Sequence, residues 1–382
     1  MSSAIQKIAD VSNWRTVKLG EVLTLINGRA YKKEEERDSG TPVLRIQNLN
    51  GGNRWFYSDL SLPESKYCER GDLLFAWSAT FGPYIWLGEK VIYHYHIWKV
   101  ECSPELDKRF AYYLLQHITE SVKAAGRGIS MIHMTKGGME DWNVSIPPLA
   151  EQKRIAAILD QAEDLRRKCQ RAIDRLNQLG QAIFNQMFDD SNSSIPLRDV
   201  CSLITDGTHH TPTYVEEGVV FLSAKNVTQL KIDWSNIKYV PESLHVQLKK
   251  RVSPRMNDVL LAKNGTTGVA AIVDKDVVFD IYVSLALLRA GEAILPKFLL
   301  YAVNNHKTRR QFDGSLKGVG VSNLHLVDIR RATIPKANLK DQAEFVERVE
   351  AVESQMARQG QINFRTNELF AAIQNRAFRG EL

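Results

Sequence analysis

Apolar positions along this chain keep two different periods, and the switch between them is abrupt. From residue 14 to 148 they come in short runs rich in aromatic and β-branched side chains, separated by turn residues. Pro42 to Gln47, Asp72 to Trp77 and Lys90 to Trp98 predict strands on this pattern. Pro104 to Lys123 instead predicts a helix, apolar at Phe110, Tyr113, Leu114 and Ile118. Beyond Leu149 the period becomes helical throughout. Ile155, Ile158, Ala162, Leu165, Cys169, Ala172, Leu176, Leu179 and Ile183 follow alternating steps of three and four, and no Gly or Pro interrupts them before Gly180. That predicts a coiled-coil seam over 149–188, a rod of roughly 57 Å at ~1.5 Å per residue. Strand-like segments return near 219–224, 258–262 and 269–287, followed by a helix near Pro296 to Arg310. A second long helix is predicted over 341–378, apolar at Phe345, Val349, Val352, Met356, Ile362, Leu369 and Ile373. Its seam is expected to slip near Gly360, where Gln359 and Asn363 take core-type positions.

The return of the pattern is a duplication. Leu19–Val22 matches Leu197–Val200, Asn48-Leu49 matches Asn226-Val227, and Pro63-Glu64-Ser65 matches Pro241-Glu242-Ser243, all at an offset of 178. Asp72 and Gly82 match Asp258 and Gly268 at 186; Phe110, Tyr113 and Ile146-Pro147 match Phe298, Tyr301 and Ile334-Pro335 at 188; Glu151-Gln152 matches Asp341-Gln342 at 190. Stepwise growth of the offset describes one unit copied, with loop residues added in the second copy. The predicted fold class is α+β: two strand-rich regions, 1–148 and 191–336, separated by long helices at 149–190 and 337–382. A long amphipathic helix needs a partner for its stripe, and the other copy supplies one. A pseudo-two-fold relation makes the pairing an antiparallel coiled coil. Residues expected in the pairing are Ile155, Ile158, Leu165, Leu176, Leu179, Ile183, Val349, Val352, Met356 and Ile373.

Composition narrows the chemistry. The net charge of +6 is concentrated in the second strand-rich region, where 191–336 carries 19 Lys/Arg against 13 Asp/Glu, while 1–148 carries 18 against 17. A basic balance is compatible with nucleic acid. Four scattered cysteines have no metal or disulfide spacing, which predicts a reducing compartment. No cationic start with an apolar run precedes Asn13 and no stretch of ~18 apolar residues occurs, so a cytoplasmic protein without membrane partners is expected. Gly265-Thr266-Thr267-Gly268 lacks the Lys-Ser/Thr end of a phosphate-cradling loop, and Pro147-Pro148 is not set in an amino-methyltransferase motif. His94 and His96 share a strand face without a recognisable third metal ligand. No catalytic residues and no metal are expected.

Pro147-Pro148-Leu149-Ala150-Glu151-Gln152-Lys153-Arg154-Ile155-Ala156, continued by Asp174-Arg175-Leu176-Asn177-Gln178-Leu179 and Gln181-Ala182-Ile183-Phe184, resembles the central long helix of specificity subunits of type I restriction-modification enzymes. Ala377-Phe378-Arg379-Gly380-Glu381-Leu382 is similar to that family's terminus, and each strand-rich region is similar to its target-recognition domain. Lys336 to Lys340 departs from the Pro-Leu-Ala lead-in of copy one. The resemblance implies a non-catalytic subunit that reads a split, asymmetric double-stranded DNA site, one half per recognition domain. It also implies two methyltransferase and two restriction/translocase partners, with S-adenosylmethionine, ATP and Mg held on those partners and no cofactor here. The alternatives are a coiled-coil scaffold that binds no DNA, or a stand-alone methyltransferase or nuclease.

Sequence readers are polar side chains on loops between strands. In copy one these are Arg29, Tyr31, Lys32, Arg45, Gln47, Asn50, Arg54, Ser78, Thr80, Arg127, Ser130 and His133. In copy two they are His209, His210, Thr211, Lys225, Lys263, Asn264, Thr266, Lys317, Ser322 and Asn323.

Overall fold

The structure is a computed structural model that describes residues 13–78, 80–124, 135–189, 193–228, 230–265, 267–316 and 323–382. Two compact units divide the chain: Met1–Gln170 with Gln361–Leu382, and Arg171–Gly360. The long helices Leu149–Phe188 and Leu339–Phe378 each contribute to both units.

In the first unit the strands run β1 (Arg15–Lys18), β2 (Leu23–Asn27), β3 (Thr41–Leu44), β4 (Tyr57–Ser58), β5 (Tyr67–Cys68), β6 (Leu73–Ala76), β7 (Gly82–Ile85), β8 (Val91–Tyr93), β9 (Ile97–Cys102) and β10 (Asn143–Ile146). One sheet has the order β2-β9-β6-β7, a second β4-β3-β8-β5, and β1 pairs with β10. Within the second sheet β3 and β8 are parallel, with Val43 opposite Ile92. Strand β6 is buried along its whole length, which explains its continuous apolar run. The helix Lys108–Ala124 buries Phe110, Tyr113 and Leu115 in the same core as β2, β6 and β9.

The second unit repeats the plan with β11 (Ser194–Pro196), β12 (Cys201–Asp206), β13 (Val219–Leu222), β14 (Lys238–Val240), β15 (Val259–Ala262), β16 (Ala270–Ile272), β17 (Phe279–Ile281), β18 (Leu285–Ala290) and β19 (Thr333–Pro335). The order β12-β18-β15-β16 mirrors the first four-stranded sheet, and β13 and β17 form the corresponding parallel pair. The helix expected near Pro296 to Arg310 is two, Pro296–Asn304 and His306–Ser315. Asn305 makes the break: it is extended, and its side chain accepts from the Lys307 amide, capping the second helix.

Matched polar residues hold both copies. Gln152 is buried, accepts the Asp107 amide at 2.8 Å and donates to the carbonyls of Glu105 and Pro147, each at 2.9 Å. Gln342 repeats this with the Leu295 amide and the Ala293 and Ala337 carbonyls. Asp72 accepts the Glu69 amide and pairs with Lys99; Asp258 accepts the Arg255 amide and pairs with Arg289.

The helices pair antiparallel within each unit. In the first, Arg154 donates to the Leu382 carbonyl at 2.9 Å, Arg166 to Asn367 at 2.9 Å, and Asn363 to Gln170 at 3.4 Å. In the second, Phe184 meets Phe345 with ring centroids 5.3 Å apart. The observed seam corrects the sequence reading. Ile155, Val349 and Val352 are buried, and Ile158, Leu176, Ile183, Met356 and Ile373 are half-buried. Leu165 (46% exposed) and Leu179 (42%) face outward, as do Ile362 (49%) and Leu369 (51%). Steps of three and four run instead through Ile155, Leu159, Ala162, Arg166, Cys169, Ile173, Leu176 and Gly180. On the second helix they continue unbroken through Met356, Gln359, Asn363, Thr366 and Phe370: Gln359 and Asn363 take seam positions as expected, but the three–four register itself does not slip at Gly360.

Candidate nucleic-acid interface

The loops at one end of each parallel strand pair are drawn together by backbone bonds. In copy one the Arg29 amide donates to the Tyr93 carbonyl, the Tyr95 amide to the Arg29 carbonyl and the His94 amide to the Leu44 carbonyl, at 2.9–3.1 Å. This crossing requires Gly28: a Cβ there would lie 2.4 Å from the carbonyl oxygens of both Tyr93 and His94. Gly207 serves the same crossing in copy two, where a Cβ would lie 1.9 Å from the Ile281 oxygen.

On this frame copy one carries cations and rings. The Arg29 guanidinium lies 4.5 Å from the Tyr31 ring, Tyr31 meets Phe56 edge-on at 5.3 Å, and Arg45 lies over Phe56 at 4.7 Å. Glu35 takes the Arg29 charge at 2.5 Å and also accepts the Lys32 amide. Arg29 holds the Glu35 carboxyl below the usual carboxylate range. Gln47 donates to the Arg54 carbonyl at 2.7 Å, while Asn50 donates to Thr80 and accepts from Tyr84. Ser78 is half-buried, and Lys32 and Arg54 are exposed. Sequence reasoning missed the neighbouring rings. His94, Tyr95 and His96 follow one another at centroid spacings of 4.9 and 3.9 Å, with Trp77 5.7 Å from Tyr95. Burial first, then His96 and Arg45, push the His94 imidazole down to about 4, so it is neutral at neutral pH. The signal was the aromatic density of Tyr93-His94-Tyr95-His96, weighed above only for metal binding. No group of three or more metal-ligating side chains occurs among the described residues.

Copy two holds hydroxyls and amides on the same frame. Thr211 bonds the Tyr282 hydroxyl at 3.1 Å, and the His210 amide donates to Thr208. Lys225 and Asn264 line a cleft of about 440 Å³ with Ser223, Lys238, Tyr282 and Ser284. Asn323 forms a backbone bridge with Asn264. Lys263 is a correction: its side chain is 6% exposed and its ammonium donates to Asp206 at 2.7 Å, so it neutralises a buried carboxylate and faces no ligand. Asp206 also accepts from Arg251 at 2.5 Å and lies 3.3 Å from His209, which is largely exposed. Burial would raise the Asp206 carboxyl, but Lys263 and Arg251 outweigh it and hold the group low. Arg127, Ser130, His133, Thr266, Lys317 and Ser322 lie outside the described residues.

No helix among the described residues is long and apolar enough to cross a membrane. Residues 11–175 match a family described as the type I restriction modification DNA specificity domain. The type I restriction enzyme EcoBI specificity subunit of Escherichia coli is 24% identical over 410 residues, covering 97% of this chain and 86% of that protein. Two solved structures share the fold across nearly the full length. One comes from a study of complex assembly and conformational transition of the type I R-M system (TM-score 0.58, 19% identity, 97% of this chain and 98% of that one). The other is the S subunit of a type I restriction-modification system from M. genitalium (TM-score 0.50, 16% identity, 96% of each chain).

Proposed function

We propose that the chain is a DNA specificity subunit of a type I restriction-modification system, the family that residues 11–175 and its full-length relatives resemble, and that it reads a bipartite, asymmetric DNA site, one half per recognition domain, without catalysing a reaction. Its long helices dock two methyltransferase and two restriction/translocase subunits and set the unread spacer between the half-sites. S-adenosylmethionine, ATP and Mg act on those partners. The observation that carries this reading is the duplicated frame: the crossing after Gly28 and the one after Gly207 use matched backbone bonds, yet the side chains displayed around them differ. One scaffold with two sets of side chains suits a target with two different halves. Phosphate contacts position such a protein and base-edge contacts specify the site.

The test is to sequence the methylated bases of the host with and without this gene. A two-part motif lost with the gene is expected. Exchanging residues 14–146 for another recognition domain should then change one half of the motif only. A motif that survives deletion, or a swap that alters both halves, overturns the proposal.

A further inference from the structure

Superposing the backbone bonds of the two copies pairs their residues one by one. The Arg29 amide binds the Tyr93 carbonyl as Thr208 binds Ile281, and the His94 amide binds Leu44 as Tyr282 binds Leu222. The Trp77 amide binds the His96 carbonyl as Lys263 binds Ser284. At the next station the Arg45 amide donates to Asn48 Oδ1 at 3.0 Å, and the Ser223 amide donates to Asn226 Oδ1 at 3.0 Å. Asn48 and Asn226 are buried and identical, and each turns its amide nitrogen onto two carbonyls of the following loop. The anchors agree, while the side chains at these stations (Arg29/Thr208, Arg45/Ser223, His94/Tyr282) differ in size, charge and polarity; Thr208 is buried, and at the Trp77/Lys263 station Lys263 is turned inward onto Asp206.

A station that only grips phosphate has no reason to differ between copies, since the DNA backbone is the same in both half-sites. A station that reads a base must differ if the half-sites differ. Of the two arginines at these stations, Arg29 is neutralised by Glu35. Arg45 pairs with no carboxylate among the described residues. Arg45 is half-buried: its guanidinium is laid 4.7 Å over Phe56, one Nη donates to the Arg54 carbonyl at 3.2 Å, and its Nε is buried without a hydrogen-bond partner, which leaves the Nη edge as the part of the fork that can meet a base. Stacking limits the rotamers of a planar fork, and such a fork matches the O6 and N7 acceptors of guanine.

We propose that Arg45 and Ser223, held on the same backbone station by Asn48 and Asn226, are specificity-determining residues, and that Arg45 reads a guanine in the half-site of the first recognition domain. This rests on the DNA-reading function proposed above. Ser223, one hydroxyl over a cleft, takes a less restricted base in the other half-site.

The experiment maps the methylated motif in the host carrying wild type, Arg45→Ser, Arg45→Lys or Ser223→Arg. Arg45→Ser should reduce a guanine preference of roughly 5- to 150-fold to below about twofold at one position of one half-site. Arg45→Lys should relax the same position while retaining charge, and Ser223→Arg should sharpen one position of the other half. The unaltered half-site in each variant reports that the protein is folded and assembled. If Arg45→Ser leaves the motif intact, with methylation either unchanged or lowered evenly at all sites, Arg45 grips phosphate or packs only, and the proposal fails. If Arg45→Ser loses methylation altogether while Arg45→Lys keeps the wild-type motif, the role is structural and the proposal also fails. A motif that does not depend on the gene sinks the DNA-reading function itself, a result distinct from either.

Discussion

Gln152 and Gln342 each close a corner by bonding one backbone amide and two backbone carbonyls from a buried side chain. Truncating either to alanine should destabilise its unit by at least ~2 kcal/mol, because several backbone groups lose their bond at once. Urea unfolding of the wild type and the two variants checks this; coincident curves would show that water replaces the side chain. Asp206 makes a pH-dependent prediction. Its carboxyl is held below its unfolded value, so its contribution is present above about pH 3.9 and is lost as the pH falls through the lower folded value. At pH 7 Asp206→Asn strands the Lys263 ammonium, which should cost about 3–5 kcal/mol. Measured from pH 7 down to pH 2, the gap between wild type and variant should close at the acid end. A gap that persists there would trace the cost to packing and not to charge.

At the scale of the element, the helix pair separates periodicity from contact. Val349→Asp puts a carboxylate into a fully buried position and should cost several kcal/mol, about 3 or more. Leu165→Asp, on an outward face, should change the melting temperature little. Equal losses for the two would restore Leu165 to the seam. The sequence made the existence, length and antiparallel partner of these helices legible, because alternation of three and four admits few other readings. It did not make the flank legible. Ile155, Ala162, Cys169 and Leu176 belong equally to a track through Leu165 and Leu179 and to one through Arg166 and Gly180. Contacts that periodicity does not encode choose the second. Arg166 covers the Phe370 ring at 4.5 Å, and Gly180 leaves room for Tyr301, whose hydroxyl would lie 2.7 Å from a Cβ there. The candidate interface was legible to the same degree. Loop polarity selected Arg29, Tyr31, Arg45 and Thr211, which lie around the two crossings, yet it also selected Lys263, because its partner Asp206 lies 57 residues away in sequence. Tyr95, Trp77 and Tyr282 were missed because aromatic residues in strands ordinarily read as core.

For the whole molecule, both long helices change unit, one between Gln170 and Arg171 and the other between Gly360 and Gln361. On the spacing role proposed for them, four residues added to each helix at these crossings lengthen the pair by ~6 Å and turn it by ~40°. At ~3.4 Å per base pair the mapped motif should gain one or two unread base pairs and keep both half-sites. A spacer that stays fixed would assign the gap to the partner subunits. The same division governs the order in which the chain can fold on the ribosome. Arg171–Gly360 is contiguous and has all the residues of its own core once it has emerged. The unit built on residues 1–170 lacks Phe370 and Ala377, both buried in its core, until 361–382 is made. Closing a loop of that length favours a late, slow step, during which the first-made domain stays incomplete. A nonsense codon after Gly360 should therefore expose the domain encoded first to protease and leave the domain nearer the break protected, an inversion that limited proteolysis of the truncated chain would display.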